Sequence, residues 1–119
     1  MAASPPPLDI SPDPTPPLRR VHTFAPAEIG RANGSRTFDV GANIAGRSTL
    51  TLHGGVPLGA VIQVLHGEHL DADGHNDTTN LTMPYDLGRE RQLVEYVSAG
   101  VSDETHGPWF AYYGFRCLE

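Results

Sequence analysis

The sequence predicts an all-β fold, an antiparallel β-sandwich, on two observations. From Val21 onward the apolar residues recur with period two rather than 3.6. Turn-forming residues separate these alternating runs at roughly 8–12-residue spacing, as in sandwiches. Composition agrees, because 13 Gly and 11 Pro among 119 residues suit short strands and interrupt helices.

Val21–Phe24 reads as a short edge strand, and Ser35–Val40 as a longer strand ending at Gly41. In Ser48–His53, Leu50 and Leu52 share one face while Thr49, Thr51 and His53 share the other, so one side is core and the other wet. Gly54-Gly55 and Pro57–Gly59 break the pattern, and the more continuously apolar Ala60–Leu65 reads as a central strand entered through a hairpin. Asp71–Asp77 is a loop in which Asp73-Gly74 supplies a positive φ. Gln92–Ser98 alternates again, with Leu93 or Val94, Tyr96 and Val97 as β-formers, and Gly100 closes it. Trp109–Tyr113 and Phe115–Leu118 complete a set of six to eight strands. Asp86–Val97 is the one helical alternative, but it carries Gly88 and lacks a wide apolar stripe.

Pro5, Pro6, Pro7, Pro12, Pro14, Pro16 and Pro17 mark residues 1–17 as an extended Pro-rich linker or tail, since proline restrains φ and removes backbone donors. A PxxP ligand arises by chance wherever proline is this dense. Residues 18–119 remain for one small domain.

Fourteen acidic residues against eight Arg, with no Lys, give a net charge of −6. That excludes the basic surface that nucleic acid or an anionic membrane requires. No apolar run reaches the ~18 residues of a membrane span, and no basic start precedes an apolar stretch at the N-terminus, so the chain reads as soluble and unexported. Cys117 is the one cysteine, which excludes an internal disulfide and a Cys-based metal cluster.

The ordered strings PPLRRVHTFAPAEIG, TFDVGANIAGRSTLTLHGGVPLGAVIQVLHGEHLDADG, Asn80-Leu81 and WFAYYGFRCLE together resemble one known module, the concanavalin-like β-sandwich of bacterial α-L-rhamnosidases, a jelly-roll-type fold. The resemblance runs from about Pro16 to Glu119. The family's D-x-G-x-N-x-x-G pattern stands here as Asp39, Gly41, Asn43 and Gly46, residues suited to turns. Its Y-x-G-F-R-Y-x-E ending stands as Tyr112, Gly114, Phe115, Arg116, Leu118 and Glu119, with Cys117 where an aromatic is usual. Met83-Pro84-Tyr85-Asp86 and Leu87-Gly88 depart from the family's run into the next strand.

The resemblance implies a parent glycoside hydrolase that removes terminal rhamnose with inversion, its acid and base carboxylates lying in a separate (α/α)6 barrel. Inverting chemistry needs two carboxyl groups about 6.5–9.5 Å apart around a sugar pocket. The sequence ends directly after the sandwich's last motif, so the expectation is an accessory domain, with no hydrolysis by this chain alone and the catalytic barrel as its partner. The competing reading is an autonomous module that binds rhamnose-containing glycans.

For that competing reading the candidate carbohydrate contacts are Trp109, Tyr113, His106 and Arg116, because flat rings stack on pyranose faces while polar tips bond hydroxyls. Core packing is the alternative role for Trp109, Phe110, Tyr112 and Tyr113, since period two sends half of them to each side. Asp71, Asp73 and Asp77, with Asn76, form the densest oxygen cluster and are the candidate calcium ligands, but the spacing lacks an EF-hand's full ligand set and suits a solvated turn. His66 and His69 flank Glu68, and strand alternation does not make two of these His ligands converge with His53 on zinc. Glu68 is expected to hydrogen-bond backbone or Arg116. Asn33-Gly34-Ser35, Asn76-Asp77-Thr78 and Asn80-Leu81-Thr82 match glycosylation sequons but carry no weight without an export signal.

Overall fold

A computed structural model describes residues 11–81 and 92–119. Among them are nine strands and no helix, every strand pair is antiparallel, and no helix is long and apolar enough to cross a membrane. The strands are β1 (Ala27–Ala32), β2 (Ser35–Gly46), β3 (Leu50–His53), β4 (Val61–Gly67), β5 (His69–Leu70), β6 (Asn76–Asp77), β7 (Leu93–Val97), β8 (Asp103–His106) and β9 (Tyr113–Leu118). One sheet has the order β1-β2-β9-β4-β7, with β3-β8 and β5-β6 as two-stranded sheets. The architecture is the antiparallel β-sandwich that the alternation predicts, with one broad layer and a narrow second one.

β1 and β2 meet through Asn33-Gly34, where Ala32 pairs with Ser35 and both turn residues have positive φ, 52° and 84°. That is the backbone a two-residue hairpin needs, because primed turns match the strands' right-handed twist. β2 does not stop at Gly41 as the sequence suggests. It runs on to Gly46, and its register against β9 shifts between Asp39 and Ile44. Gly41, at φ 87°, sits in this bulge, so the D-x-G-x-N residues bend a strand rather than end it.

Several sequence expectations are corrected. Val21–Phe24 forms no strand; Val21 is exposed and the His22 and Phe24 rings meet at a 57° tilt, centroids 4.4 Å apart. The i, i+2 pair meets its own ring neighbour, and Val21–Phe24 stays exposed with no sheet partner among the described residues. β3 makes no hairpin with β4, because Gly54-Gly55 turns the chain toward Ser102 and β3 pairs with β8 instead. β8, Asp103–His106, forms although DETH carries no apolar alternation. The run Ala60–Leu65 is an interior strand, β4, flanked by β9 and β7. Gln92–Ser98 is strand β7 over Leu93–Val97, which removes the helical alternative there; its first half, like Met83–Gly88, lies outside the described residues. Trp109–Tyr113 is not a strand, because Gly107-Pro108 withholds a ladder donor and the chain re-enters the sheet only at Tyr113.

The core is small. Among the described residues Phe115 and Cys117 are its buried apolar side chains, joined by Thr37, His66 and Ser98. His66 packs against Tyr113 and, edge-on, against Phe115, with centroids 4.4 and 4.8 Å apart. Its Nδ1 lies 2.8 Å from the Gln92 carbonyl oxygen and its Nε2 2.9 Å from Ser48 Oγ. A carbonyl only accepts, so Nδ1 carries the proton and Ser48 donates to Nε2. Burial pushes the His66 pKa down, keeping the ring neutral, and pushes the Cys117 thiol up.

Candidate functional site

The connection from β8 to β9 carries the most exposed aromatic surface of the described residues. Trp109 is 82% exposed, Phe110 104% and Tyr112 68%. Arg47 fixes the start of this loop: Nη1 donates to the Pro108 carbonyl at 2.9 Å, and its guanidinium lies 5.3 Å from the Trp109 ring centroid, within cation–π range. The sequence expectation that these aromatics serve the core is overturned for Trp109, Phe110 and Tyr112. Gly107-Pro108 is the signal that could have found this, since it places the next residues in a loop.

The four candidate sugar contacts each have a different partner. Trp109 lies beside Arg47. Tyr113 lies against His66. His106 stacks on Tyr96 with centroids 4.7 Å apart and planes 21° apart. Arg116 forms a fork with Asp39, Nε to Oδ1 at 2.9 Å and Nη2 to Oδ2 at 2.8 Å. Those hydrogen bonds, followed by one from the Gly41 N–H, hold the Asp39 pKa down at about 2. Arg116 therefore does not pair with Glu68 as the sequence suggested; Glu68 accepts instead from Asn43 and Asn80, both at 3.2 Å.

The acidic turn is closed by its own side chains. Asp71 Oδ1 accepts from the N–H groups of Asp73 and His75 at 2.9 and 2.8 Å, and Asp77 Oδ1 from Thr79 N–H and Oγ1 at 2.9 and 2.7 Å. These are Asx-type turns. No group of three or more His, Cys, Asp or Glu that could hold a metal occurs among the described residues. Asn76 of the second sequon turns inward: its Nδ2 donates to the Leu65 carbonyl at 3.0 Å, and a Cβ at Gly67 would overlap its side chain.

Sequence reasoning passed over Glu104, which is 6% exposed. Its carboxylate accepts from Tyr96 Oη at 2.6 Å, Ser98 Oγ at 2.7 Å, Ala99 N at 2.8 Å and Gly100 N at 3.1 Å. The Tyr96 hydroxyl above all, then the Ala99 N–H and Ser98, bring its pKa to about 2. This knot ties the 98–100 turn to β7 and β8.

A groove of about 710 Å³ lies between the broad sheet and β3. Its lining includes Leu50 and Leu52 on one side and Ile62, Val64 and Phe38 on the other, with Glu119 as the one acidic side chain among the described residues. Glu119 is engaged by Ser35 Oγ and the Asn76 N–H, both at 2.9 Å.

Residues 31–119 match the family model of the bacterial alpha-L-rhamnosidase concanavalin-like domain. No curated protein and no solved structure matches the chain.

Proposed function

We propose, from the premise that this chain belongs to the bacterial α-L-rhamnosidase concanavalin-like domain family, that it is a non-catalytic accessory domain docking on a catalytic (α/α)6 barrel through the 108–112 loop. The observation that carries this reading is the run of exposed rings at Trp109, Phe110 and Tyr112. Large apolar side chains left in water cost free energy that a partner surface recovers, and aromatic residues beside an Arg are the usual anchors of protein interfaces. Arg47 braces the loop in advance, which lowers the entropy lost on docking.

Two features favour this over sugar binding or hydrolysis. Among the described residues the groove offers one aromatic ring, Phe38, beside aliphatic and polar side chains, whereas a glycan site stacks sugars on ring platforms. Hydrolysis with inversion needs two facing carboxyl groups, and among the described residues Glu119 is the one acidic side chain that lines the groove.

The test titrates a recombinant catalytic barrel of an α-L-rhamnosidase with the chain by calorimetry, beside a release assay on p-nitrophenyl rhamnoside with the chain alone. Binding that disappears in the Trp109→Ser/Phe110→Ser variant, with no release, is the expected result. Release by homogeneous chain, or barrel binding unaltered by the double substitution, overturns the reading.

A further inference from the structure

Both ends of the 108–112 loop are held by the fold. At its start, Gly107 packs close to the β2–β3 connection: a Cβ there would stand 3.3 Å from the Ser48 carbonyl oxygen and from Thr49 Oγ1, so the absent side chain is what lets the two segments approach. Ser48 is fixed in turn by its bond to Nε2 of the buried His66. At the other end Tyr113 rests against the same His66 ring. The exposed rings between these points are thus presented from a common buried support, and the loop has little freedom left to lose on meeting a partner.

Arg47 stands in this frame with an uncommitted charge. The other described arginines of the sheet each hold a carboxylate: Arg31 and Arg36 share Glu28, and Arg116 takes Asp39. Among the described residues Arg47 has no acidic partner; its Nη1 serves the Pro108 carbonyl and its guanidinium lies beside Trp109. Residues 47–49 and 107–113 contain no Asp or Glu, in a chain that has fourteen. Arg47 is exposed, and Pro108 does not use its Nε–Nη2 edge, the edge with which Arg116 forks Asp39 at 2.9 and 2.8 Å. The indole shields the guanidinium from water on one side, which strengthens its pairing with an incoming carboxylate.

We propose that Arg47 and the Trp109–Phe110 rings act as one composite anchor, which fits a protein surface offering an apolar recess with a carboxylate at its rim. The rings fill the recess, and the Nε–Nη2 edge forks the carboxylate while Nη1 keeps its bond to Pro108. The inference rests on docking through the 108–112 loop and adds what the partner must carry. Charge complementarity argues for this occupant. The one formal charge of residues 47–49 and 107–113 is positive, and aromatic rings with an Arg are the combination that anchors protein interfaces. The rings supply area, and the fork supplies orientation, since a bidentate pair fixes both planes.

The test titrates a recombinant α-L-rhamnosidase catalytic barrel by calorimetry with the full chain, Arg47→Gln and Arg47→Lys, at about 0.05 and 0.5 M NaCl. Gln retains a donor for the Pro108 carbonyl and Lys retains the charge; amide shifts at 110–113 verify the loop in each. At the lower salt, Arg47→Gln is expected to weaken binding about 30-fold and Arg47→Lys about 10-fold, as for a lost fork. Raising the salt weakens the parent about 10-fold and leaves Arg47→Gln unaltered. Arg47→Gln binding as tightly as the parent, with the same salt dependence, overturns the composite anchor and leaves docking through the rings standing. No binding by the parent overturns both. Binding of alginate, a polyuronate, by the parent but not by Arg47→Gln assigns the fork to an acidic glycan and likewise overturns the proposal.

Discussion

Arg116 on β9 grips the Asp39 carboxylate of β2 at both oxygens, across the point where the two strands lose register. Between the Asp39–Cys117 and Ile44–Phe115 pairs, residues 40–43 of β2 stand against Arg116 alone. Asp39 Oδ1 also accepts the Gly41 N–H at 2.7 Å, so one carboxylate closes the bulge from inside and from across the sheet. Asp39→Asn cannot accept the guanidinium fork at both atoms. It is expected to lower the melting temperature and to speed amide exchange at 40–43 while leaving 93–97 unaffected. Exchange that quickens evenly through the sheet contradicts a local role.

Acid should unfold the domain in two stages. His66 is held below its ordinary 6.5, so the unfolded chain binds the proton more readily and stability falls as pH drops below that value. Asp39 and Glu104 are held at about 2, against ordinary values of 3.8 and 4.5. Their contribution is complete above the ordinary values and is lost as pH falls toward 2. Melting curves from pH 8 to 2 should show both slopes, and Glu104→Gln should flatten much of the lower one. A lower slope unchanged by that substitution would falsify the assignment.

Gly100 combines a φ of 74° with a position where an added Cβ would lie 2.8 Å from Leu58 Cβ. Gly100→Ala is therefore strained in backbone and side chain alike, and is expected to cost about 1–3 kcal/mol in chemical denaturation. Gly34→Ala, also at positive φ but with nothing within 4 Å, isolates the backbone part. Equal losses for the two would show that the Leu58 contact adds nothing.

Phe110→Ser and Trp109→Ser should leave urea stability within about 0.5 kcal/mol of the parent, as exposed positions do. A larger loss means the rings brace the fold, and the docking reading weakens accordingly.

EDTA and millimolar CaCl₂ are expected to give the same melting midpoint, because Asp71 and Asp77 already spend an oxygen each on their own turn amides. A calcium-dependent rise in midpoint would reinstate Asp71, Asp73 and Asp77 as ligands.

Alternation carried the sandwich because a strand with one wet face writes its burial into the chain, as Leu50 and Leu52 against Thr51 do. Pairing was less legible. β3 finds β8 some fifty positions away, and nothing local in DETH announces a strand whose inward residue is an acid, Glu104. The β1–β2 hairpin was available in Asn33-Gly34, a strong turn signal passed over in favour of Val21–Phe24. The aromatic loop misled because WFAYY has a strand's composition, and composition cannot register that Pro108 takes away a donor. Arg116's choice of Asp39 over Glu68 depends on a bulge, and a bulge is a property of two strands together.

The enclosed thiol of Cys117, with no second sulfhydryl in the chain, gives the domain a built-in stopwatch. A reagent such as DTNB can modify it only when β9 parts from β2 and β4, so labelling kinetics at saturating reagent report how often the middle of the sheet breathes.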